Sequence, residues 1–131
     1  MRRSILLGLA TIVLSAYGQQ DEELQQWMKA ARQSASALSK LENKTGKPAV
    51  APAERLGAIY ENMINFWRQR NAPDAVKVST AGKAAAVQLA SAARAGDETA
   101  AASALRELTA TCKQCHEAHR EKIGDASYRI R

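Results

Sequence analysis

The sequence has few residues that interrupt or crosslink a chain. Three prolines and seven glycines are spread over 131 residues, and no stretch alternates apolar and polar residues at the two-residue period of a half-buried strand. That scarcity argues against a sheet-based fold. Two cysteines are too few for a four-thiolate zinc site. No carboxylate pair, nucleophile–base arrangement or phosphate-binding loop is visible, so the chain is not expected to be an enzyme. No basic run is interleaved with aromatics, which argues against nucleic acid as a partner. The apolar run Ile5 to Val13 is shorter than the roughly 20 residues a membrane-spanning helix needs.

That run instead has the layout of an export signal. Arg2 and Arg3 precede it, and Ala16 and Gly18 sit at the small-residue positions before a cut. Residues 1–18 are therefore expected to be a signal peptide, cut between Gly18 and Gln19, and residues 19–131 to be one domain. Removing 18 of 131 residues leaves 113, and the loss of Arg2 and Arg3 takes the formal net charge from +6 to +4. A mildly basic, periplasmic protein is compatible with an acidic partner; an uncleaved signal is the only membrane attachment foreseen.

What the chain does contain is alanine and helical periodicity. A first helix is predicted from about Asp21 to Glu42. Asp21, Glu22 and Glu23 would sit in its first turn, where acids suit the dipole, and Leu24, Met28, Ala31, Ala35 and Leu38 would form its stripe. Gly46, Pro48 and Pro52 mark a loop over residues 43–52. A second helix is predicted from about Ala53 to Arg70, with Leu56, Ile59, Tyr60, Met63, Phe66 and Trp67 on its apolar face. A third follows from Pro73, in its first turn, to about Ala95, with Val78, Ala85, Leu89 and Ala92 inward and Gly82 permitting close approach. Ala95-Gly96-Asp97 ends it and caps a fourth helix running to about Lys122, after which a polar, frayed tail is expected. Short connections between helices of this length imply an all-α, antiparallel up-down four-helix bundle.

Near the end of the fourth helix stands Thr111-Cys112-Lys113-Gln114-Cys115-His116. Cys-x-x-Cys-His is the form of a c-type haem attachment site: two thiols add to the two vinyl groups of the haem, and the adjoining histidine binds iron. Cys112 and Cys115 are three residues apart and Cys112 and His116 four, so one helical turn presents both anchors and the ligand. Other readings exist for these residues. A thioredoxin-like pair wants a βαβ setting that the sequence lacks. A disulfide across so short a loop would gain little entropy. A metal held by Cys112, Cys115, His116 and His119 would draw every ligand from barely two turns of one helix.

The chain resembles the class II c-type cytochromes, the cytochrome c prime family and its low-spin relatives. The resemblance is carried by Ala95-Gly96-Asp97, Leu105, Leu108, Thr111 to His116 and Arg120, and more weakly by Leu24 to Leu41. It implies one covalent haem c, held by Cys112 and Cys115, with His116 as proximal iron ligand and Arg120 as a basic neighbour of that histidine. It implies that Gln26-Trp27-Met28-Lys29 supplies the opposite face, with Met28 as distal ligand as in the low-spin, electron-transferring relatives and Trp27 packing on the haem. The alternative is a five-coordinate iron that binds nitric oxide or carbon monoxide, with Met28 merely packed over it. An exported helical module without haem is a third reading. The resemblance also implies an unidentified redox partner and a homodimer through the first two helices. Two departures are visible: His119 stands where the family has an aromatic residue, and the link between the second and third helices is short, leaving the haem edge more exposed there. Met63 is assigned to the core, His119 cannot reach the opposite face of a haem held by His116, and nothing in the sequence singles out Tyr60.

Overall fold

The computed structural model describes residues 5–125 and 128–131, with side chains described from Asp21 onward. The expected signal peptide, residues 1–18, lies outside the residues whose side chains are described. Four helices account for most of the chain: α1 (Ile5–Lys40), α2 (Lys47–Gln69), α3 (Pro73–Ala95) and α4 (Glu98–His119). They pack in chain order, α1 on α2, α2 on α3 and α3 on α4, whereas among the described residues α1 and α4 approach each other only sparsely. Asp21 pairs with Arg70, Glu61 with Lys83 and Glu54 with Arg94. The two α2–α3 pairs run in opposite senses, Asp21 of α1 meets Arg70 at the far end of α2, and Asp74 at the start of α3 meets His119 at the end of α4, so each helix is antiparallel to the one before it. They are surface pairs of small energetic value; register and stability come from the core.

Leu38, Leu56, Leu89 and Leu108, one from each helix, are almost wholly removed from water. Alanines fill the rest of the interface, among them Ala49, Ala53, Ala85, Ala86, Ala90, Ala93, Ala101 and Ala104. Alanine gives up no side-chain entropy in a helix and lets backbones come close. Among the described glycines the tightest contact is at Gly82, whose missing Cβ would stand 2.2 Å from Cε1 of Tyr60. The expected role of Gly82 is therefore met by one particular ring.

Three sequence expectations are corrected. The first helix does not begin at Asp21. It runs unbroken from Ile5 and ends at Lys40, so Asp21, Glu22 and Glu23 lie within it rather than in its first turn. The loop over residues 43–52 is shorter than expected, because α2 begins at Lys47. Pro48 occupies the first turn, where its missing N–H is no loss. Pro52 lies inside the helix at the cost of one backbone bond, a cost offset by the complete burial of Ala49 and Ala53 around it. Gly46, with φ of 75°, bonds its N–H to the Ala93 carbonyl at 3.0 Å and closes this loop onto the end of α3.

The third correction concerns the tail. α3 spans Pro73–Ala95 as expected. Gly96 in the left-handed conformation stops it, and Asp97 caps α4 by accepting from the Ala100 N–H at 3.0 Å. But α4 ends at His119 rather than Lys122. Arg120 turns extended, and the chain returns as a small antiparallel hairpin, β1 (Arg120–Lys122) with β2 (Tyr128–Ile130), Arg120 opposite Ile130. Arg131 fastens it, donating from its backbone N–H to the His119 carbonyl and from its guanidinium to the Ala118 and Glu117 carbonyls at the end of α4. These are carbonyls that a helix end leaves without partners of its own.

Candidate functional site

The stripe of α4 that faces the core is Ala101, Ala104, Leu108 and Thr111. The residues that follow, Cys112, Cys115 and His116, are half-buried, and both thiols are free. The turn carrying them thus lies at the edge of the core. The bundle brings four other features to the same end. Trp27 of α1 meets Phe66 of α2 edge-on at 6.3 Å. Phe66 meets Trp67 at 4.9 Å, and Trp67 stacks on His119 of α4 at 4.7 Å. Met28, beside Trp27, is half-buried against the core. The two sequence-predicted segments, around Met28 and around His116, therefore share one end of the molecule.

Tyr60, which nothing in the sequence selects, holds the first cysteine. Its hydroxyl lies 2.7 Å from Thr111 Oγ1 and 3.3 Å from Cys112 Sγ, and Thr111 donates to the Leu108 carbonyl at 2.7 Å. With the Thr111 proton directed there, Tyr60 donates to Thr111 and accepts from the Cys112 thiol. Burial, and next the neighbouring Cys112, push the Tyr60 hydroxyl far above its ordinary range, so it stays a neutral phenol. The only sequence sign of this network was a threonine on an otherwise apolar stripe, one residue before Cys112.

Burial also pushes the Cys115 thiol up to about 11, with smaller contributions from Cys112 and Asp74. Reactive Cys-x-x-Cys pairs lower a thiol pKa to stabilise the thiolate; here the shift is opposite, which argues against a thioredoxin-like use. His116 is shifted down, first by burial and then by the positive charge of Arg120. Both favour the neutral imidazole, the form that binds metal. Arg120 is not on the helix one turn beyond His116 as predicted; it opens β1, its guanidinium 4.1 Å over the Tyr128 ring, yet its charge is still felt at His116.

His119 has a different task. Its Nε2 lies 2.7 Å from Asp74 Oδ2 and its Nδ1 3.0 Å from the Arg131 carbonyl. Each ring nitrogen thus faces one oxygen acceptor. Among the described residues no three His, Cys, Asp or Glu side chains converge to hold a metal ion. The hydrogen bond from His119 holds the Asp74 carboxyl below its ordinary range. A lowered folded value means that the contribution is complete above the unfolded value of about 4 and is lost as pH falls through the folded value. Thermal midpoints measured from pH 7 down to 2.5 should therefore fall less steeply below pH 4 in His119→Phe than in the wild type. Parallel curves would remove this pair from the acid response.

A shallow groove of about 480 Å³ lies between the end of α1 and α4, lined by Ser39, Lys44, Leu105, Arg106 and Lys113 among others. It touches the turn of Cys112 to His116 only through Lys113. Among the described residues no helix is long and apolar enough to cross a membrane. No family model, curated protein or solved structure matches the chain.

Proposed function

We propose that this chain is an exported, periplasmic monohaem c-type cytochrome that transfers electrons, related to the class II cytochromes. Cys112 and Cys115 would hold the haem covalently, His116 would bind its iron, and Met28 would be the ligand on the other face. The observation that carries this reading is the single turn of α4 that presents two thiols and a neutral imidazole at the end of the bundle where α1 brings Met28 and Trp27. The donor set suits the group: imidazole and thioether are established haem-iron ligands, and the thiols are unpaired. The sparse α1–α4 pairing is the seam at which a flat macrocycle would enter with least disruption of packed core.

When bound, the haem supplies a one-electron iron couple whose potential depends on axial ligands, burial and nearby hydrogen bonds. The protein's part is to hold it. Tyr60 and Thr111 fix Cys112, burial keeps His116 neutral, and the charge of Arg120 beside His116 disfavours further positive charge there. The formal charge of +4 left from +6 once Arg2 and Arg3 are removed would steer an acidic redox partner, and a homodimer through α1 and α2 is part of the same proposal.

The test is the absorption spectrum of the exported protein, oxidised and reduced, with a pyridine haemochrome assay and the intact mass. One haem per chain, lost in Cys112→Ala/Cys115→Ala, is expected. A colourless protein with the mass of the bare processed chain would overturn the reading.

A further inference from the structure

Beside its core-facing stripe, α4 carries a second line of residues. Ala102, Leu105, Arg106, Ala110 and Lys113 recur at steps of three and four and so share a face of the helix. Among the described residues α1 approaches α4 only sparsely, and this face stays open as part of the groove of about 480 Å³. Lys44, just past the end of α1, lines the groove as well. From Lys113, in the turn of Cys112 to His116, the groove follows the α1–α4 seam back toward the middle of α4.

The lining combines an apolar floor with charge of one sign. Leu105 is half-buried and packs against the core, with Ala102 and Ala110 to either side along the helix. The charged lining residues are Lys44, Arg106 and Lys113, and among the described residues no Asp or Glu lines the groove. Lys44 donates to the Leu41 and Ser39 carbonyls at the end of α1. Lys113 has Glu117 at 3.9 Å with both side chains exposed, a pairing of small value. Arg106 makes no ion pair among the described residues.

These features select an occupant. Arg106 and Lys113 are seven residues apart, about 10 Å along a helix at 1.5 Å per residue, so they do not converge on one small anion. No aromatic ring lines the groove to stack a nucleobase. A second copy laying the same face here would set cations against cations. An acidic stretch of protein fits, since three or four residues of extended chain, at about 3.3 Å each, span the distance between the two cations.

We propose that the groove docks an acidic segment of the redox partner, with carboxylates on Arg106 and Lys113 and an apolar side chain on Leu105. Naming the partner as a redox protein rests on the function proposed above, because Lys113 stands beside the proposed haem anchors. The docking itself rests on the groove alone.

The experiment titrates the full processed chain, haem-loaded and at low ionic strength, with a synthetic hexapeptide in which two pairs of glutamates flank a leucine and an alanine. The amide signals of Leu105, Arg106 and Lys113 should move in proton–nitrogen spectra, and the same peptide with glutamines in place of glutamates should move none. Arg106→Gln/Lys113→Gln should weaken binding about tenfold, as the loss of two exposed ion pairs would. Arg55→Gln/Lys77→Gln, which removes two charges from α2 and α3 outside the groove, should leave it nearly unchanged. All four side chains are exposed, so these variants fold. Saturating peptide should also slow oxidation of the reduced protein by hexacyanoferrate(III). Shifts confined to other signals, or equal weakening by the two double variants, would overturn the docking surface. Oxidation indifferent to bound peptide would overturn the partner's redox role. If wild type carries no haem, the function proposed above fails and the redox role with it, while the peptide titration still decides the groove.

Discussion

Gly82→Ala is expected to destabilise the protein by about 1–3 kcal/mol, the usual cost of overpacking a filled interior. A Cβ at this position would stand 2.2, 2.4 and 2.7 Å from three atoms of the Tyr60 ring. The obstacle is a buried aromatic on the facing helix rather than the loose end of a flexible side chain, so either the ring or the helix must shift. If the ring moves, it leaves Thr111 and Cys112, and the variant loses hydrogen bonds as well as packing. Urea unfolding should show a lower midpoint with little change in slope. Adding Tyr60→Leu should recover part of the loss, since neighbours in contact do not behave additively. An unchanged midpoint in Gly82→Ala would mean that α2 and α3 are not pressed together here.

On the proposed reading, Met28→Ala in the loaded protein should convert a low-spin spectrum into a high-spin one that changes on adding carbon monoxide, because it would remove the soft ligand proposed opposite His116 and open that face. It should also lower the reduction potential, since a thioether paired with histidine raises it. The haem content should stay the same, because the proposed covalent anchors are on α4. A spectrum identical to wild type would show that Met28 is packing, which would return the five-coordinate, gas-binding reading to first place. The two substitutions probe different layers. Gly82→Ala tests how closely α2 and α3 support Cys112 through Tyr60, and Met28→Ala tests what α1 contributes across the seam.

The sequence was most legible where local chemistry and packing agreed. Proline at position 73, glycine at 96 and aspartate at 97 bounded α3 and started α4 as expected, because each satisfies a terminal requirement of the helix itself. It misled where packing overrode local preference. Pro48 and Pro52 looked like loop punctuation, but α2 takes both in order to bury Ala49 and Ala53. The hairpin after α4 was invisible because its strands are three residues each, too short to show a period, and because its stability comes from Arg131 binding helix carbonyls. The placement of Cys112, Cys115 and His116 on one helical turn could be read directly from their spacing, and α4 carries them so. Tyr60, Thr111 and the stacking of Trp67 on His119 could not. All three are defined by what faces them from another helix, a relation between α2 and α4 that no single stretch of chain encodes.

The order in which the helices pack has a consequence for how the molecule would come apart. Among the described residues α1 leans on α2 and scarcely on α4, while α2, α3 and α4 are joined through Tyr60, Gly82, Trp67, Asp74 and His119. The three later helices thus form a self-supporting trestle and α1 a hinged panel hung on one side of it. Partial opening should swing the panel while the trestle stands, a sub-global step below the cost of full unfolding. Whatever occupies the seam would latch that panel shut, so its loading and the rigidity of α1 should rise and fall together.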